Sequence, residues 1–285
     1  MTPTYYKPSG KISILGVLGS LAVGGVVAFI GAFLYALALV YNPSAYLGII
    51  LPALFGAGVA GASAFVGKKL KVRNAWVSMG IAVVLTMSGY LVSWIPWEWF
   101  TLYHLGNQVD WLAVIYPPSF IDILGLIYEN GAWTIGSSSS GGAVSGLMLA
   151  LVWLLEAGIV FGTSAFTAYA VGSSGVFCET CEEWCRKIAG LFNHAPEAQG
   201  QIANALGGAR DLSVLTSAAP AAGTPTWVET ELNHCRCGAT NTLLVQRCER
   251  KVDGRGNVSI TKAPIVEHLL LAKEEADRLR SAAGK

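Results

Sequence analysis

Charge is what this sequence has least of. Asp, Glu, Lys and Arg make up 13% of its 285 residues, against about a quarter in ordinary soluble domains, while 53% are hydrophobic. A soluble globular chain is excluded on that balance, and membrane residence is expected. Nineteen bases against eighteen acids leave a net charge of +1 with no basic block, so no nucleic acid partner is expected. Cysteine is missing before Cys178, and Lys and Arg are missing between Ile95 and Gly142. Also missing are a nucleophile elbow, an H-E-x-x-H pair, a dinucleotide fingerprint and a kinase signature, which lowers the expectation of an enzyme.

In place of charge stand four long apolar runs, at about 14–41, 46–67, 75–94 and 143–171. Each meets the length of roughly 20 residues needed to cross a bilayer. The first is too long for the 7–15 residues of a signal-peptide core and is read as a retained anchor. Asn42-Pro43-Ser44 predicts a turn between the first two runs. The positions of the bases orient the spans. Lys7, Lys11, Lys68, Lys69, Lys71, Arg73, Arg186 and Lys187 flank span ends that fall on one side when four spans are threaded. The loop 95–142 carries only acids, as a translocated loop should. Both termini are therefore expected in the cytoplasm of a multi-pass inner-membrane protein.

Small residues recur every fourth position on the first run, at Gly16, Ser20, Gly24, Ala28, Ala32 and Ala36. Ala53, Ala57 and Gly61 repeat the pattern on the second, and Gly158 and Gly162 form a GxxxG pair on the fourth. Lipid gives no hydrophobic push between helices, so such stripes allow close backbone approach within one bundle, or within a homo-oligomer. Glu156 is the single ionisable residue inside these four runs. It lies roughly 20 Å from either end of its run. A charge there costs on the order of 3 kcal/mol, so the side chain should face the bundle interior. Thr86 and Ser88 are the expected partners at similar depth, with Ser63 and Ser20 behind them. Either a proton or ion relay or a plain interhelical hydrogen bond would account for it.

The loop 95–142 is rich in Trp and Tyr, which favour the headgroup region. Ser119 and Asp122 have capping-box spacing, predicting an interfacial helix over about 119–129 with Phe120, Ile121, Leu124 and Ile127 buried. Glu98, Asp110, Asp122, Glu129 and His104 offer acid–base chemistry in this outer region, although their spacing matches no motif. The run Gly136-Ser-Ser-Ser-Ser-Gly-Gly142 reads as a flexible linker.

Residues 176–285 read as a small α+β module. A short helix is expected over 196–206, strands over 227–232 and 242–251, and a hairpin turn at 253–257 leading into 258–261. A tail helix follows over 273–283. So small a core calls for a staple. All six cysteines lie here, and on the reducing side of a membrane such spacing points to metal rather than disulfides. Cys178-x-x-Cys181 supplies one two-thiolate knuckle and Cys235-Arg-Cys237-Gly238 a second. Paired knuckles over about 178–248 resemble a zinc ribbon, which implies a closed tetrahedral structural zinc site. The second knuckle is C-x-C rather than C-x-x-C and the insert is long, so Cys185, His234 and Cys248 stand as alternates. Asn257-Val-Ser259 is a glycosylation sequon on the side where it would go unused.

The expectation is a membrane α-helical protein: a four-helix transmembrane bundle (1–175) carrying a small cytoplasmic α+β zinc-ribbon-like domain (176–285). A membrane scaffold or adaptor that docks a protein partner through that domain is the leading reading. A channel or transporter subunit using Glu156, and an envelope enzyme using the acidic outer loop, are the alternatives.

Overall fold

The computed structural model describes residues 3–41, 47–104, 110, 115–131, 144–221 and 223–284. The turn expected at Asn42-Pro43-Ser44, the Gly/Ser linker, Trp111 and Trp133 lie outside them. The chain forms two units, Ser9–Ser174 and Met1–Pro8 with Gly175–Lys285.

The first unit is built from four helices long and apolar enough to cross a membrane. They are α1 (Ile14–Val40), α2 (Leu47–Lys69), α3 (Ala75–His104) and, after a shorter α4 (Pro117–Asn130), α5 (Gly146–Ser173). Two begin where side-chain oxygens take over amides that helix geometry leaves unpaired. The Gly16 amide donates to Ser13 Oγ at 3.2 Å, and the Trp76 and Val77 amides donate to Asn74 Oδ1 at 3.0 and 3.1 Å. The α1 stripe is the buried face: Gly16, Ser20, Gly24, Ala28, Ala32 and Ala36 all lie inside, together with Tyr35. A Cβ on Gly24 would come within 2.6 Å of Leu85 and 2.8 Å of Ser63, so the stripe brings α2 and α3 against α1. On α2 the buried face is Pro52, Phe55, Gly56, Val59, Ala60, Ser63, Ala64 and Gly67, with Ala53, Ala57 and Gly61 at its half-buried margin. Gly158 and Gly162 are exposed, with nothing within 4 Å of an added Cβ.

Two boundaries differ from the hydropathy pattern. α3 does not stop at Trp94 but runs to His104 through Pro96, taking Trp97, Glu98, Trp99 and Tyr103 out of the expected loop. Trp97 packs edge-on against Trp94 and Trp153, at ring separations of 5.7 and 6.5 Å, and this aromatic contact with α5 continues the helix past the proline. α4 begins at Pro117, not Ser119; the proline occupies the first turn, where its missing amide costs nothing. Ile127 is buried as expected, whereas Ile121 points outward.

The second unit is an antiparallel sheet in the order β3 (Arg186–His194), β4 (Thr226–His234), β5 (Asn241–Val252), β6 (Val258–Leu271). A small hairpin of β1 (Phe177–Cys178) and β2 (Glu183–Trp184) precedes it. Beyond β6, Tyr5 bridges Leu269, with the Leu270 amide donating to the Thr4 carbonyl and the Tyr6 amide to that of His268. The core, centred on Ile202, Leu206, Val228, Leu232, Leu243, Val245 and Leu269, is closed by α6 (Gln199–Asn204), α7 (Val214–Ser217) and the tail helix α8 (Lys273–Ala282). The helix expected over 196–206 is a 3-10 turn, α6 and then a π-helical turn Ala205–Ala209. It passes through Gly207-Gly208 and ends at Arg210, whose φ of 54° stops it. β6 is far longer than 258–261. Shifts of pairing between Leu243 and Gln246 absorb the Pro264 that breaks its pattern.

Candidate metal centre

Each knuckle is the end of a hairpin. In the first, Cys178 closes β1, pairs with Glu183, and is followed by a turn that returns Cys181 beside it. In the second, β4 ends at His234, paired with Asn241 at the start of β5. Between them the Cys235 amide donates to the Thr240 carbonyl at 3.0 Å and the Gly238 amide to the Cys235 carbonyl at 3.0 Å. Gly238 has a φ of 75°, a conformation a side chain resists, so glycine sets this turn.

The two hairpins bring four Sγ atoms together. Cys181 and Cys235 are 2.8 Å apart, Cys235 and Cys237 3.3 Å, and Cys178 and Cys237 3.5 Å. All four lie within 4.8 Å of one another. A tetrahedral ion with metal–sulfur bonds of about 2.3 Å places its sulfurs about 3.8 Å apart, inside that spread. None of the six cysteines is in a disulfide. The group is therefore compatible with a metal-binding module that has four protein ligands and no open position. Cys178 and Cys235 are buried and Cys237 is exposed. Burial raises the Cys178 thiol, but hydrogen bonds from Thr240, the Cys181 amide, Cys235 and Cys237 outweigh it and bring it down to about 6.

The alternates are not members of this group, although Cys185 adjoins it at Cys235. Cys185 Sγ points at the Thr240 carbonyl, 3.7 Å away, and burial, helped by the charges of Cys178 and Cys181, pushes it up to about 12. Cys248 is buried in β5 with Sγ donating to Glu229 Oε2 at 3.2 Å; burial and that carboxylate push it up to about 11. His234, next to the second knuckle, is also outside the cluster.

The acid of the fourth long apolar helix has a different partner from those expected. Glu156 Oε1 accepts a 2.5 Å hydrogen bond from the Tyr35 hydroxyl of α1. Thr86 instead meets Ser164 at 2.9 Å, two turns further along α5, and exposed Ser88 donates to its own helix at the Val84 carbonyl. Tyr35 had a legible signal: it is the one large residue on the small-residue face of α1. Glu98 had none. It is wholly buried in α3, and neither carboxyl oxygen has a hydrogen-bond partner among the described residues. Asp110, Asp122 and Glu129, expected in the same acidic loop, are exposed instead.

The chain matches no protein-family model, no curated protein and no solved structure. What defines it is its own architecture: four long apolar helices and a sheet domain with a four-cysteine cluster. The zinc-ribbon resemblance rests on that cluster alone.

Proposed function

We propose that the protein is an integral membrane scaffold whose cytoplasmic sheet module, stapled by structural zinc at Cys178, Cys181, Cys235 and Cys237, docks a protein partner at the membrane. The observation carrying this reading is the free end of the β5–β6 ribbon. There Val252, Val258 and Ile260 are all at least half exposed, in a stretch of β6 that stays exposed from Val258 to Pro264 before the strand enters the core. An exposed ribbon edge with apolar side chains is a template for strand addition by a partner. A closed four-thiolate site favours zinc in a structural role over a catalytic one. The bases flanking the helices support a cytoplasmic module. The bridge of Tyr5 to the edge of β6 fits an even number of crossings, four among the described residues, which returns both segments to one side.

The test is site-specific photo-crosslinking in cells from Ile260, with Val72 as control. A single partner captured from Ile260 and lost on Val252→Ser/Val258→Ser supports the scaffold. Crosslinks to lipid or to many proteins alike would defeat it.

A second reading, a channel or transporter subunit, draws on the Tyr35–Glu156 pair inside the helical unit. In it Glu156→Gln abolishes a proton or cation flux in proteoliposomes while leaving assembly intact. Equal flux from both proteins would remove it.

A further inference from the structure

Beside the second knuckle, the sheet unit contains a cavity of about 290 Å3 that the cluster thiol Cys235 also lines. That size is at the lower end for small-ligand sites. Three elements supply its charge: Arg186 from the start of β3, Arg236 from the β4–β5 turn, and Lys273 and Arg280 from α8. Lys273, Asp277 and Arg280 follow one another at helical spacing, so one face of α8 forms a wall. Four cations thus face a single carboxylate, Asp277, which reaches Arg280 only at 3.8 Å. Among the described residues, Arg186, Arg236 and Lys273 have no carboxylate partner, and Arg280 Nε is buried without a hydrogen-bond partner. His234 lines the same wall, within electrostatic reach of both Arg186 and Arg280.

Cations held together on a concave wall repel one another, and a bound anion relieves that. Guanidinium forks match the oxygens of a tetrahedral oxyanion, which a lone ammonium does not. Among the described residues no Phe, Tyr or Trp lines the cavity, so a nucleobase finds no stacking platform there. We infer that the cavity binds the phosphate group of a small phosphomonoester, held by Arg186, Arg236, Lys273 and Arg280. A free phosphorylated metabolite and a phosphatidic acid headgroup present the same chemistry. The inference is independent of partner docking. Its rival is that the cations only balance the net negative charge of a divalent metal held by four thiolates.

The test uses the full chain in detergent, with metal content measured on every sample. 31P line broadening is followed with inorganic phosphate, and then with dioctanoyl phosphatidic acid, at constant ionic strength. Saturable broadening is expected with at least one probe, weakened about tenfold or more in Arg186→Gln/Lys273→Gln at unchanged metal content. Saturation by inorganic phosphate assigns a soluble ligand; saturation by the lipid alone assigns a headgroup. Should the double variant lose metal, Lys273→Gln alone is read, with about threefold weakening expected. No saturation with either probe, or wild-type affinity in the variant that keeps its metal, overturns the inference and leaves the cations as counter-charges.

Discussion

The Tyr35 hydroxyl donates to Glu156, and this one bond ties α1 to α5 across the helical unit. Polar bonds between apolar helices are individually modest, about 0.6–1.7 kcal/mol, because the separated helices find other partners. Tyr35→Phe should therefore lower the unfolding free energy in detergent by about 1 kcal/mol. Glu156→Gln retains an acceptor and should cost less. A double-mutant cycle with no coupling between the two positions would show that the bond contributes nothing.

Gly56 and Gly158 make opposite predictions. A Cβ on Gly56 would lie 2.2 Å from the Val160 carbonyl oxygen and 2.5 Å from Thr163 Oγ1, so Gly56→Ala must push α2 and α5 apart. The expected cost is about 1–3 kcal/mol. Gly158→Ala meets nothing and should raise helix stability by up to about 1 kcal/mol. Thermal unfolding in one detergent, run side by side, distinguishes them. An equal effect from both would place the helix contact elsewhere.

For the cysteine cluster, elemental analysis is the measurement. Cys178→Ser or Cys235→Ser should remove bound metal and loosen the sheet module, as judged by proteolysis within 175–285. Cys185→Ser and Cys248→Ser should leave metal content unchanged, because neither Sγ belongs to the group. Metal lost equally from all four variants would mean a different ligand set.

His194 gives the sheet module a pH dependence. Its ring is 2% exposed, neither nitrogen completes a hydrogen bond among the described residues, and burial holds it below the usual histidine value. The nearby Ala218 carbonyl offsets part of that effect. A folded state that binds the proton less readily than the unfolded chain loses stability as pH falls. The loss should begin near the unfolded histidine value of about 6.5 and continue down to the folded one. Tryptophan-monitored unfolding of wild type and His194→Phe between pH 8 and about 5 tests this. The variant should show a shallower slope, and identical slopes would exonerate His194.

How much was legible in the sequence depended on which force set each feature. The four apolar helices and the two cysteine pairs follow from local signals, run length for the first and C-x-x-C and C-x-C-G spacing for the second. The end of α3 did not, because Pro96 and Glu98 weaken every local index, while the Trp94, Trp97 and Trp153 packing that prolongs the helix is a contact across the fold. The same holds for the partner of Glu156. Depth along a helix was readable and pointed to Thr86 and Ser88, but rotation about the axis decided for Tyr35. The basic cavity escaped because its cations come from β3, a turn and α8, far apart in sequence and unremarkable singly.

The bridge between Tyr5 and Leu269 has a consequence for the order of assembly. A ribosome delivers Thr4–Tyr6 before α1, but their hydrogen-bonding partners at His268–Leu270 emerge only after β5. In between, the chain must place α1 through α5 and build β1 through β6. Thr4–Tyr6 are thus seated long after they are made, a closure of very long contact order that follows the slower steps before it. Until then the outer edge of β6 near Leu269 stands open, so newly made chains should be more readily cut there, or captured through it, than mature ones.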